Sequence, residues 1–156
     1  MIDLLYRVAY RCAYHMMRVY WRVMHPATHG AMVAIWQGGE VLLVRNSYIP
    51  YYSLPGGYVR VQETGLDGAL RELHEELGIR ARPEELRLAV DHFHDWEGKR
   101  DHVEIFELEL GQRPALAIDN REVVSADFYP PARALELLLF PPVRIAIERH
   151  LAAARR

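Results

Sequence analysis

The spacing of apolar residues predicts a mixed chain of helices and strands. Leu66, Ala69, Leu70, Leu73 and Leu77 recur at intervals of three and four, which puts them on one face of a helix. Thr64 and Asp67 stand at N-cap and N3 spacing, and Gly78 follows the last leucine as a stop. Residues 31–37 (AMVAIWQ) and 40–45 (EVLLVR) read as two strands joined by a turn at Gly38-Gly39. The unbroken apolar run Val41 to Val44 is expected of a strand buried on both faces. Residues 87–96 and 102–110 alternate apolar with polar and predict a long hairpin around 97–101, with one solvated face. Residues 83–86 read as a turn and 111–120 as a loop. Residues 122–129 read as a last strand. A helix over 130–140 and another over 143–154 follow, with Pro141-Pro142 as a break between them.

Residues 1–25 follow a different pattern. Asp3, Arg7, Arg11, His15, Arg18, Arg22 and His25 form one narrow polar stripe of a helix, and almost everything between them is apolar or aromatic. The arginines interrupt any run long enough to span a membrane, and they argue against a signal peptide. Three readings follow. The helix packs on the rest of the chain, or on a second copy as a homodimer, with its arginines outward. It lies on a membrane surface with its arginines at the headgroups. Its arginines meet substrate phosphates.

Length and composition narrow the class. A chain of 156 residues suits a single domain with a sizeable core. A net charge of −2 supplies no global attraction for nucleic acid, so none is expected as a partner. Cys12 stands alone, which excludes an internal disulfide and a cysteine-rich metal site and fits a reducing, cytoplasmic compartment.

The chemistry gathers at the helix after Thr64. At about 100° per residue Glu72, Glu75 and Glu76 share a face away from the leucines, and Glu63 precedes the helix where the loop can fold back to them. Carboxylates stacked on one helical face repel. A hard divalent cation relieves that repulsion and prefers oxygen ligands, so the group reads as a Mg²⁺ or Mn²⁺ site. Arg71 lies four residues before Glu75 and is placed to hold it. Arg45, at the end of its strand, reads either as a phosphate contact or as a surface arginine. The loop 47–56 offers Tyr48, Tyr51 and Tyr52 either for stacking a flat group or for packing on the first helix. His92 and His94 share a strand face, and with no third ligand a polar or substrate-facing role outweighs zinc. Glu104, Glu107 and Glu109 read as a solvated edge.

Gly57, Glu63, Arg71, Glu72, Leu73, Glu75, Glu76, Gly78 and Ile79 fill, without departure, the pattern of a glycine, five residues, a glutamate, seven residues, then R-E-U-x-E-E-x-G-U, where U is bulky and aliphatic. The stretch resembles the Nudix box of the MutT-like Nudix hydrolases. The resemblance implies an α/β fold, an α-β-α sandwich with a mixed β-sheet between helices. Residues 26–156 would form that domain, with 1–25 as an additional amphipathic helix. It implies Mg²⁺-dependent hydrolysis of the pyrophosphate bond in a nucleoside diphosphate linked to another moiety. Glu72, Glu75 and Glu76 would be the metal ligands, with Glu63 near the metal or its waters. Gly56 and Gly57 would let the backbone pass close to the metal and phosphates, with Arg45 and Tyr52 as further substrate contacts. Glu72 or Glu122 would be the base, Asp127 being the rival of Glu122, and Arg71 would serve the catalytic group. A domain that binds a nucleotide and regulates without cutting is the alternative.

Overall fold

The computed structural model describes residues 2–118 and 120–155, of Ile2 the backbone only. The elements in order are α1 (Ile2–Met24), β1 (Ala27–Gln37), β2 (Glu40–Asn46), β3 (Tyr52–Ser53), β4 (Gly56–Tyr58), α2 (Gly65–Leu77), β5 (Arg87–Trp96), β6 (Lys99–Glu109), β7 (Val123–Tyr129), α3 (Pro131–Ala134) and α4 (Pro141–Ala154). The seven strands make one mixed sheet in the order β3-β2-β1-β6-β5, with β4 paired to β1 and β7 to β2. The β1–β6 ladder is parallel and the others are antiparallel.

Strand alternation divides the core in two. Ala31, Val33, Ile35, Leu42 and Val44 pack on Ala69, Leu73 and Leu77 of α2. Ala34, Trp36, Val41 and Leu43 face the other way, onto Val143, Ala146 and Ile147 of α4. The sheet is therefore sandwiched between helices, as the apolar periods require. The Thr64 hydroxyl and the Asp67 carboxylate cap α2 reciprocally, and Gly78 ends it in the left-handed region at φ 70°.

Several boundaries differ from the sequence reading. The hairpin turn is Glu97-Gly98 alone, both at positive φ, because Lys99 to Asp101 already pair with β5. The carboxylates of β6 are not all at a solvated edge, since parallel pairing with β1 moves this strand inside the sheet. Glu107 is buried and takes Arg87 and His150 as partners. Glu104 accepts from His29 at 2.7 Å and presses against Gly65, while Glu109 stays exposed. The helix expected over 130–140 is a single turn. Its continuation is drawn out along β3, where Tyr52 N–H donates to the Leu138 carbonyl and Phe140 N–H to that of Tyr52. Pro141 and Pro142 then begin α4 instead of separating two helices, a position that needs no N–H donor.

The first helix packs on the protein with its arginine stripe inward, the reverse of the expected orientation. Arg7 donates to the Asn120 carbonyl, Arg11 to that of Ser47, and Arg18 pairs with Glu97 at 3.1 Å. Tyr14 and the buried Trp21 border the same face. Leu5, Met16, Val19 and Val23 point outward, each more than 60% exposed. Backbone carbonyls left free by the loops explain the inversion. Guanidinium groups offer them donors, which aliphatic side chains cannot. These three arginines are thereby engaged by acceptors of the protein itself, although Arg11 remains exposed and Arg7 and Arg18 are half-buried. Among the described residues no helix is long and apolar enough to cross a membrane.

Candidate active site

The loop from β4 into α2 brings Glu63, Glu72 and Glu75 around one guanidinium. Arg71 Nε and Nη2 form a fork on Glu63 at 2.8 and 3.0 Å. Its Nη1 donates to Glu72 and, at 3.1 Å, to Glu75, and its Nη2 also donates to the Tyr58 carbonyl at 3.0 Å. A guanidinium has five N–H donors, and these five bonds use them all. The arginine charge holds the Glu63 carboxyl down at about 2, helped by the Arg60 backbone N–H. The same bonds, Glu63 foremost, raise the pKa of Arg71 still further, so it stays charged at any working pH.

The glycines before the helix set how closely the backbone approaches. Gly56 stands at φ 149°, and a Cβ there would lie 2.3 Å from the Ala31 carbonyl oxygen. No L-residue fits without moving β1. A Cβ on Gly57 would meet the Glu72 carboxylate at 2.8 Å. Glu76 is fixed from the same segment, accepting the Gly56 N–H at 2.8 Å. Four glutamates thus converge on one turn-and-helix unit, with carboxylate oxygens as the donor type. That set fits a hard cation such as Mg²⁺ or Mn²⁺ and would not select a soft one.

Other candidates fall on both sides of the boundary. A cavity of about 550 Å³ opens beside the carboxylates, and Glu72, Glu75, Glu122, Gly56 and Gly57 line it. Glu122 accepts from Tyr48 Oη at 2.9 Å, and its carbonyl takes the Ser47 N–H. Tyr48 is pushed well above the ordinary phenol range by burial and by the Glu122 charge, so it remains a donor to that carboxylate. Asp127 is exposed and outside the cavity lining. Arg45 and Tyr52 are also outside it. They pair across the β2–β3 ladder, with the guanidinium 5.4 Å above the Tyr52 ring. Strand alternation sends Ser53 and Tyr51 to the cavity and Tyr52 away from it.

The cavity has residues that sequence reasoning missed. Arg60 lies at its rim, 3.5 Å from Glu75. Lys99, read as part of a turn, is buried in its wall. A buried lysine has no signature of its own in sequence. The signal that existed was the register of the hairpin, which becomes visible only once Glu97-Gly98 is recognised as the turn.

A family model described as NUDIX domain matches residues 26–151. The chain belongs to the NUDIX domain family. No curated protein matches it. Among solved structures, this Nudix chain resembles the MutT protein from Methanosarcina mazei Go1 at 22% identity and a TM-score of 0.70, over 85% of this chain and 99% of that one. It resembles a C. elegans Ap4A hydrolase in a binary complex at 21% identity and a TM-score of 0.70, over 82% and 98%. The NUDIX domain of Shewanella oneidensis NrtR, complexed with ADP ribose, is similar at 19% identity and a TM-score of 0.69, over 82% and 88%. Helix α1 precedes the family match.

Outside the Nudix box, His29, His102 and Glu104 also bring three potential donors together. The two imidazoles are stacked, with centroids 4.4 Å apart and planes 12° from parallel. Parallel rings cannot both aim in-plane lone pairs at one ion, because half their spacing is already roughly a whole metal–nitrogen bond, about 2 Å. Each ring nitrogen in question has a carboxylate partner, His29 with Glu104 and His102 with Asp91. With Phe93 stacked on His102, the group is an aromatic ladder.

Proposed function

We propose that this Nudix hydrolase cleaves the pyrophosphate bond of a nucleoside diphosphate linked to another moiety, with Mg²⁺ held by Glu72, Glu75 and Glu76. The observation that carries the reading is the convergence of these carboxylates beside Gly56 and Gly57, at one end of a cavity sized for a small molecule. Bound there, a divalent cation supplies charge neutralisation on the phosphate oxygens and acidifies a water.

The protein's own residues then have separable tasks. Arg71 positions, since its donors are spent on Glu63, Glu72, Glu75 and the Tyr58 carbonyl. Glu63 fixes Arg71 in turn and braces the loop through the Arg60 N–H. Glu72 and Glu122 both line the cavity, which supports one of them as the base that takes a proton from water. Tyr48 orients Glu122. Arg60 is the cation at the rim, suited to a phosphate oxygen.

The test is turnover of a panel of nucleoside triphosphates, nucleotide sugars, ADP-ribose and dinucleoside polyphosphates in ¹⁸O-labelled water with Mg²⁺. The expected result is one preferred substrate, ¹⁸O in a phosphate product, and no reaction in excess chelator. A second reading is a regulatory binding domain, in line with the NrtR domain solved with ADP ribose. Tight nucleotide binding with no product from any member of the panel would select it.

A further inference from the structure

The cavity beside the carboxylates is closed on one side by α1, the segment that precedes the family match. Tyr10, Tyr14 and Met17 of this helix line it, together with Tyr48 and Tyr58. Tyr10 stacks on Tyr48 at 5.9 Å and Tyr14 tilts against it at 5.4 Å. Because Tyr48 also donates to Glu122, the aromatic wall runs continuously into the carboxylate end.

The helix is fastened at that wall. Tyr14 Oη donates to Glu97 at 2.5 Å, and Arg18 pairs with the same carboxylate. Burial raises the Tyr14 pKa far above the ordinary range, the Glu97 bond adding to it, so this phenol stays protonated and keeps donating. Below the aromatic rings lies Lys99. Its ammonium is 3.0 Å from Tyr58 Oη, 3.1 Å from Asp101, and 4.7 Å from the Trp21 ring centroid. Burial opposes its charge, but Tyr58 and Asp101 outweigh burial and hold the amine protonated. An ammonium has three N–H donors, and these two oxygens account for two of them.

A wall of π-faces with a cation at its base suits a flat ring that carries acceptor atoms on its edge. We propose that α1 is the specificity wall of the active site. The nucleobase of the substrate lies under Tyr10 and Tyr14, with Lys99 at its acceptor edge and its diphosphate towards the cation site proposed at Glu72, Glu75 and Glu76. The proposal rests on the hydrolase reading for the diphosphate end and adds the base subsite and the residues that form it. Tyr14 is a specificity residue in this account, as is Tyr10.

The test measures binding to the full chain by calorimetry with Ca²⁺ in place of Mg²⁺. The probes are ADP, GDP, CDP and UDP, against inorganic pyrophosphate, which has no base. Tyr14→Ala is expected to weaken the best nucleoside diphosphate roughly ten-fold or more, in line with base–aromatic stacking. Pyrophosphate binding should stay within about two-fold. Tyr14→Phe keeps the ring and should retain nucleotide binding within about three-fold, separating stacking from the Glu97 bond. Tyr10→Ala, which leaves the Glu97 contacts alone, should lose nucleotide affinity in the same sense if α1 remains docked. In turnover, KM for the nucleotide substrate should rise in Tyr14→Ala with kcat little changed. Equal weakening of pyrophosphate and nucleotide, or nucleotide binding unaffected by both alanine variants, would overturn the base subsite while leaving the hydrolase reading in place. Failure of the wild-type chain to bind pyrophosphate or any nucleotide would overturn both.

Discussion

Glu76→Gln is expected to lower Mg²⁺-dependent turnover by roughly a hundred- to a thousand-fold, the scale of losing one preorganised electrostatic contribution. The fold should survive. Glu76 receives the Gly56 N–H at 2.8 Å, and the carbonyl oxygen of glutamine accepts the same bond. What the substitution removes is a negative charge and a hard anionic donor at the proposed cation position. Raising Mg²⁺ concentration should recover part of the rate, since the loss acts through cation affinity. Steady-state rates across a Mg²⁺ series, with circular dichroism as the fold control, give the answer. Turnover within three-fold of wild type at limiting Mg²⁺ would remove Glu76 from the ligand set.

Arg71→Ala is expected to cost stability more than neutralising any one carboxylate of the box. The guanidinium is mostly enclosed and satisfies three carboxylates and a carbonyl at once. Its removal leaves Glu63 and Glu72 half-enclosed and mutually repelling, without a cation. Breaking a fully buried ion pair costs about 3–5 kcal/mol. Glu75 is about half exposed and solvent screens its share, so the cost here lies below that of a fully buried pair. For a chain of this size that lowers Tm by on the order of 5–10 °C. Arg71→Lys should recover less than half of it, because an ammonium has three donors and cannot fork onto Glu63. Thermal unfolding in chelator tests both variants. A Tm for Arg71→Ala within one degree of wild type would show that the carboxylates do not depend on the arginine.

Much of this site was legible before any coordinates, and the reason is locality. Thr64, Asp67, Gly78 and the leucine spacing all belong to one helix of about four turns, so sequence distance and spatial distance agree. Glu72, Glu75 and Glu76 share that helix, and their common face follows from the helical period alone. The β1–β2 hairpin was legible for the same reason, with Gly38 and Gly39 both at positive φ.

Non-local pairings were not legible. The placement of Glu104 and Glu107 depends on β6 lying parallel to β1, some seventy residues earlier, and alternation along β6 cannot say which strand will flank it. The one-turn α3 depends on the Tyr52 backbone capturing residues 138–140. For α1, periodicity separates an arginine stripe from an apolar one but does not say which faces inward. Free carbonyls at Ser47 and Asn120 and the Glu97 carboxylate decide that, and each belongs to a distant loop. Arg45 and Tyr52 illustrate the same limit on a small scale. The β2–β3 ladder directs them to each other and leaves Tyr48 and Tyr51 in the cavity.

Cation capture by one helix face is the claim on which the chemistry stands, and a Mn²⁺ titration read by electron paramagnetic resonance of the free ion measures it without any substrate. The wild-type chain should deplete free Mn²⁺ with at least one saturable site. The combined Glu72→Gln, Glu75→Gln and Glu76→Gln variant, still folded, should leave the free-ion signal unchanged. Equal depletion by both proteins, or none by the wild type, would contradict the account.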